Sequence, residues 1–121
     1  GDILNFSLRF KSGATGTFNS VLETPLYIRY AVFGSEAWVE ARDYCHPSEE
    51  GTTDFFICRN QGKIEKTSYS AVDTVKINFE AWADAISGIA DYPFTNLQNL
   101  ENIAVFEAIC QSADKGLVIK I

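Results

Sequence analysis

A chain of 121 residues has the length of one domain. Hydrophobic residues make up 46% of it and charged residues 21%, the balance of a globular protein rather than a disordered one. Sixteen acidic and ten scattered basic residues give a net charge of −6, which excludes the clustered Lys and Arg that a phosphate backbone or an anionic membrane surface requires.

Three cysteines, Cys45, Cys58 and Cys110, are odd in number and far apart, so reduced thiols and a cytoplasmic location are expected. No apolar run approaches the roughly 20 residues of a membrane span, and no signal peptide is visible. The sequence opens at Gly1-Asp2, contains no methionine, and enters a strand pattern at once. The expectation is a single sheet domain, residues 1–121, cut from a larger two-domain protein.

Residues 4–10 alternate, with Leu4, Phe6, Leu8 and Phe10 on one side and Asn5, Ser7 and Arg9 on the other, which is the period of a half-buried strand. Lys11-Ser12-Gly13 supplies a turn, and residues 14–22 return as a second strand. Residues 26–33 form a third strand rich in aromatic and β-branched types. Gly34-Ser35 reads as a II′ hairpin turn into a fourth strand at 36–42. A polar loop from Asp43 to about Thr52 precedes a further hairpin, 53–59 and 63–69, around Asn60-Gln61-Gly62.

The period then changes. Val75, Phe79, Trp82, Ala83 and Ile86 fall on one helical stripe, with Asp73 or Thr74 as N-cap and Gly88 as the stop. On this pattern Phe79 and Trp82 are core residues that hold the helix on the sheet. Asp91-Tyr92-Pro93 breaks the chain, and Thr95-x-x-Gln98 is a capping box opening a second helix that runs to about Lys115 and ends at Gly116. That helix carries two apolar lines: Leu100, Ile103, Phe106 and Cys110, and Val105 with Ile109. Residues 117–121 (LVIKI) complete the pattern as a closing strand. Strands first and helices last give an α+β fold: an open, mostly antiparallel sheet of six to seven strands with two helices packed on one face.

Catalytic constellations are not evident. The nearest glycine pair, Gly13 and Gly16, sits in a hairpin, not in the strand–helix turn where a dinucleotide pyrophosphate is held, so no cofactor-binding residue is assigned. His46 is the only histidine, and a zinc site wants three or four ligands, so no metal is assigned either. Cys45 and His46 are sequence neighbours whose side chains diverge, a poor nucleophile–base pair. Tyr44 and His46 stand as candidates for touching a polar ligand at a sheet edge.

Four stretches carry a family resemblance: the hairpin LRFKSGATGTFNS, the hairpin GSEAWVE, the helix FEAWADAISG followed by Tyr92-Pro93, and the terminal run NLENIAVFEAICQSADKGLVIKI. In order and spacing they resemble the carboxy-terminal domain of the glucose–fructose oxidoreductase, inositol dehydrogenase and MocA family. The resemblance implies an NAD- or NADP-dependent parent enzyme acting on a sugar, inositol or related polyol. It implies that the Rossmann half and every catalytic residue precede Gly1, so none is carried over to this chain. What remains would wall the substrate pocket and pack against a second subunit through the sheet. The residues expected at that subunit contact are Tyr30, Phe33 and Trp38. The alternative from the residues alone is a free-standing α+β ligand-binding or dimerisation module.

Overall fold

Antiparallel pairing accounts for every strand in the computed structural model, which describes residues 2–121. The elements run β1 (Ile3–Arg9), β2 (Thr15–Val21), β3 (Ile28–Phe33), β4 (Ala37–Asp43), β5 (Gly51–Arg59), β6 (Glu65–Ala71), α1 (Thr74–Ile86) and α2 (Asn96–Lys115). The fold is α+β with open sheets, as the order of patterns requires. The strands divide into a two-stranded sheet, β1-β2, and a four-stranded sheet, β3-β4-β5-β6. The chain correspondingly forms two units, residues 24–83 and the remainder.

In the smaller sheet the expected alternation holds. Leu4, Phe6 and Leu8 share one face with Phe18, whose ring stacks on Phe6 at 4.8 Å between centroids. On the other face the Asn5 and Asn19 side chains hydrogen-bond each other. Gly13 closes the turn at φ 92°, a conformation that glycine adopts without steric cost. In the same unit α2 begins with the expected capping box: Thr95 Oγ1 accepts from the Gln98 N–H at 3.2 Å, while Gln98 Oε1 accepts from the Thr95 N–H at 2.8 Å. Gly116 ends it in the left-handed conformation, donating to Ser112 O. The line of Val105 and Ile109 meets Phe6 and Phe18 across an apolar groove of about 400 Å³. The second line, Leu100, Ile103 and Phe106, is exposed.

The four-stranded sheet is a meander with β3 and β6 at its edges. The register pairs Val32 with Val39, Val39 with Ile57, Tyr30 with Ala41 and Ala41 with Phe55, so these residues share one apolar face. The opposite face carries Arg29, Glu40, Arg42, Asp54, Lys66 and Ser68 with Phe33, Trp38 and Phe56. The β5–β6 turn places Asn60 and Gln61 at φ 48° and 56°, and Gly62 N–H donates to Arg59 O. Two successive positive φ values match the right-handed twist of the flanking strands. Gly51 is required by packing: a Cβ there would lie 2.6 Å from Cys45 Sγ.

Several expectations are corrected. Residues 117–121 are not a strand, and Val118 is 91% exposed. A β-patterned segment becomes a strand only where it pairs with a partner edge, and none of these residues is paired. The β3–β4 turn centres on Ser35-Glu36, with Gly34 N–H donating to Ala37 O, and no residue in it has positive φ. The II′ turn on Gly34-Ser35 therefore does not form. Asp73 caps α1, its Oδ1 accepting from the Lys76 N–H at 2.8 Å, and Gly88 follows its end at φ 70°. Phe79 and Trp82 are not core residues: they are 64% and 55% exposed. A helical stripe records which face gains from burial, but not whether the chain supplies a cover for it.

A polar aromatic face as candidate functional site

Asp54 and Cys58 are the two buried residues among those described, and both lie on the polar face of the four-stranded sheet. Asp54 is only 6% exposed, though it carries a charge. Burying a carboxylate demands compensation, and β6 provides it. Lys66 Nζ lies 2.8 Å from Asp54 Oδ2, and Ser68, directly opposite in register, donates from Oγ to Oδ1 at 2.6 Å. Tyr44, just past the end of β4, adds a weaker favourable electrostatic interaction with the carboxylate. The Lys66 ammonium first, then the Ser68 hydroxyl, holds the Asp54 carboxyl below the usual carboxylate range, against a smaller opposing push from burial. Asp54 in turn raises the Lys66 ammonium above its ordinary value.

Arg42 faces Asp54 across the β4–β5 ladder but does not pair with it. Its Cζ instead lies 5.0 Å from the Tyr27 ring centroid and 5.1 Å from that of Tyr44, within cation–π range of both. The neighbouring Arg29 reaches Glu40 at 3.6 Å. The face therefore alternates cations, carboxylates and aromatic rings, a lining suited to a ligand with both hydroxyl groups and an apolar body.

The structure gives the two predicted ligand residues different surroundings. Tyr44 lies against the Arg42 guanidinium, the neighbour of Asp54 in register. His46 turns into its own loop, where Nδ1 lies 2.8 Å from Ser48 Oγ and its backbone carbonyl accepts from the Glu49 N–H. Cys45 packs on Gly51, and no hydrogen bond joins it to His46 among the described residues. Tyr30 lies on the apolar face, whereas Phe33 and Trp38, a cross-strand pair, lie on the polar one. A flat contact through one face of this sheet would not engage all three. Asp54, Lys66, Ser68 and Arg42 were not singled out from the sequence. The available signal was an acid inside the apolar run of β5, TTDFFIC.

Among the described residues, no three His, Cys, Asp or Glu side chains converge as a metal would require. No helix among them is long and apolar enough to cross a membrane. Asp73 and Thr95 cap the two helices, and the positive-φ glycines lie in a hairpin turn and after helix ends. No family model matches the chain, and neither a curated protein nor a solved structure matches it.

Proposed function

We propose that this chain is the substrate-wall and subunit-contact domain of an NAD- or NADP-dependent oxidoreductase acting on a sugar, inositol or related polyol in the cytoplasm, with no catalysis of its own. The family assignment rests on the four sequence stretches alone. The observation that carries the reading is the four-stranded sheet, with hydrogen-bonding and aromatic groups together on one face and an apolar surface on the other. On the first, Tyr44, Ser68 and Lys66 offer hydroxyl and ammonium groups together with the rings of Tyr27 and Phe56, and Tyr44 and His46 border the loop at the sheet end. On the second, Tyr30 is 64% exposed beside Val32, a surface that a second copy would cover by closed two-fold pairing.

Two measurements test this. In sedimentation at micromolar concentration the chain is expected to exceed its monomer mass of 13.4 kDa. In an NMR titration, glucitol or myo-inositol is expected to shift the Tyr44 and Ser68 resonances. A strict monomer, with no polyol response at these positions, overturns the reading.

A further inference from the structure

Each strand carboxylate on the polar face already has a cation. Glu40 is engaged by Arg29 at 3.6 Å and Asp54 by Lys66 at 2.8 Å. Arg42 is left over. The carboxylate opposite it in register, Asp54, accepts from Lys66 and Ser68, and no acidic group lies within ion-pair distance of Arg42 among the described residues. Arg42 is nevertheless half-buried and held against two tyrosine rings. Stacking of this kind restrains a guanidinium while leaving its edge N–H donors unused, and that edge is the fork that matches a carboxylate or phosphate in two parallel hydrogen bonds. In a chain of net charge −6, a restrained cation without an acidic partner is a specific arrangement rather than part of a general basic surface.

We propose that Arg42 is the anion-recognition residue of this domain, taking the carboxylate or phosphate oxygens of a small polyhydroxylated ligand. Tyr27 and Tyr44 hold the guanidinium. Tyr44 beside it, and Ser68 one strand beyond Asp54 and anchored on that carboxylate, are the hydroxyl partners for the body of the ligand. The inference rests on the polar face being a substrate wall and narrows the substrate class to polyol acids or polyol phosphates. Lysine would keep the charge at position 42 but not the planar fork.

The test uses the full chain, with gluconate, glucitol 6-phosphate, neutral glucitol and inorganic phosphate as probes, followed by calorimetry and by NMR of the Arg42 side chain. Gluconate or glucitol 6-phosphate is expected to bind at least about tenfold more tightly than glucitol, an advantage lost in Arg42→Lys. Tyr27→Leu, at an exposed ring, is expected to weaken the acid several-fold while leaving the melting temperature unchanged, and it serves if Arg42→Lys does not fold. Tighter binding of gluconate than of inorganic phosphate assigns the site to a polyol acid, and the same preference for glucitol 6-phosphate assigns it to a polyol phosphate. Equal binding of gluconate, glucitol 6-phosphate and glucitol overturns the proposal while leaving the substrate wall intact. Absence of binding by all four probes up to about 10 mM overturns both.

Discussion

The two sheets of this chain differ in where their apolar faces are left open. The β1–β2 hairpin sets Phe6 and Leu8 toward a groove whose other wall is Val105 and Ile109 of α2, and all four side chains are at least half-buried. In the four-stranded sheet, the edge strand β3 leaves Tyr30 and Val32 exposed while Val39, Ala41, Phe55 and Ile57 on the same face are half-buried, and the most enclosed charged side chain, Asp54, lies on the polar side. The hairpin unit therefore draws its cohesion from side-chain burial. The larger sheet adds its ladders, its turns and a hydrogen-bonded carboxylate to the half-buried side chains of its central strands. A two-stranded sheet has little stability without such a partner, whereas four paired strands can persist with one face open.

That contrast can be broken by mutation. The largest effect is expected in the groove: Phe6→Ala should destabilise the hairpin unit by about 2–3 kcal/mol, the lower range for an aromatic truncation because the ring is half-buried. Tyr30→Ala should cost under about 0.5 kcal/mol in the monomer, as for an exposed position, and act instead on self-association. Denaturant unfolding read by hydrogen exchange separates the two. Equal losses would show that both faces are covered.

Gly51→Ala probes the larger sheet, where packing is tightest at the β4–β5 loop. The new methyl would meet Cys45 Sγ at 2.6 Å, so a loss of about 1–3 kcal/mol is expected. A neutral result in thermal melts would mean that the loop yields freely. Thr95→Ala removes the N-cap of α2 and should cost about 1 kcal/mol, visible as faster exchange of the first-turn amides.

The smallest effect is the pH dependence of the Asp54–Lys66 pair, because half of the Lys66 side chain is exposed and water screens it. The folded Asp54 carboxyl lies below its unfolded value near pH 4. Its contribution is present above that pH and is lost as pH falls through the folded value. The Lys66 contribution is present below its unfolded value near pH 10 and is lost as pH rises through the higher folded one. Asp54→Asn should flatten the acid limb of the melting-temperature profile. An unchanged acid limb would place the acid sensitivity elsewhere.

Local rules were readable in the sequence and long-range ones were not. The capping box at Thr95 and Gln98, the stop at Gly116, the turn at Gly13 and the alternation of Leu4, Phe6 and Leu8 are each decided by a few adjacent residues. The cover for Phe79 and Trp82 and the partner edge for residues 117–121 depend on distant chain, and there the expectations failed. The polar site shows the same divide. Tyr44 stood out because of its loop, but Asp54, Lys66 and Ser68 become a cluster only through the β5–β6 register. A strand sequence does not state its register by itself.

Cys58 gives the enclosed side of the sheet a use in kinetics. Its thiol is buried and donates to Gly62 O at 3.3 Å, tying β5 to the turn that leads into β6. Cys45 is half-buried against Gly51, and Cys110 is exposed on α2. A thiol reagent therefore meets three gates in one chain. Cys110 should react at the rate of a free thiol and calibrate the reagent. Cys45 should lag by the time its loop spends closed, and Cys58 should wait for the β5–β6 end to separate. The order and spacing of the labelling times would read the opening of this sheet at two of its own positions, Cys45 and Cys58, with no introduced cysteine.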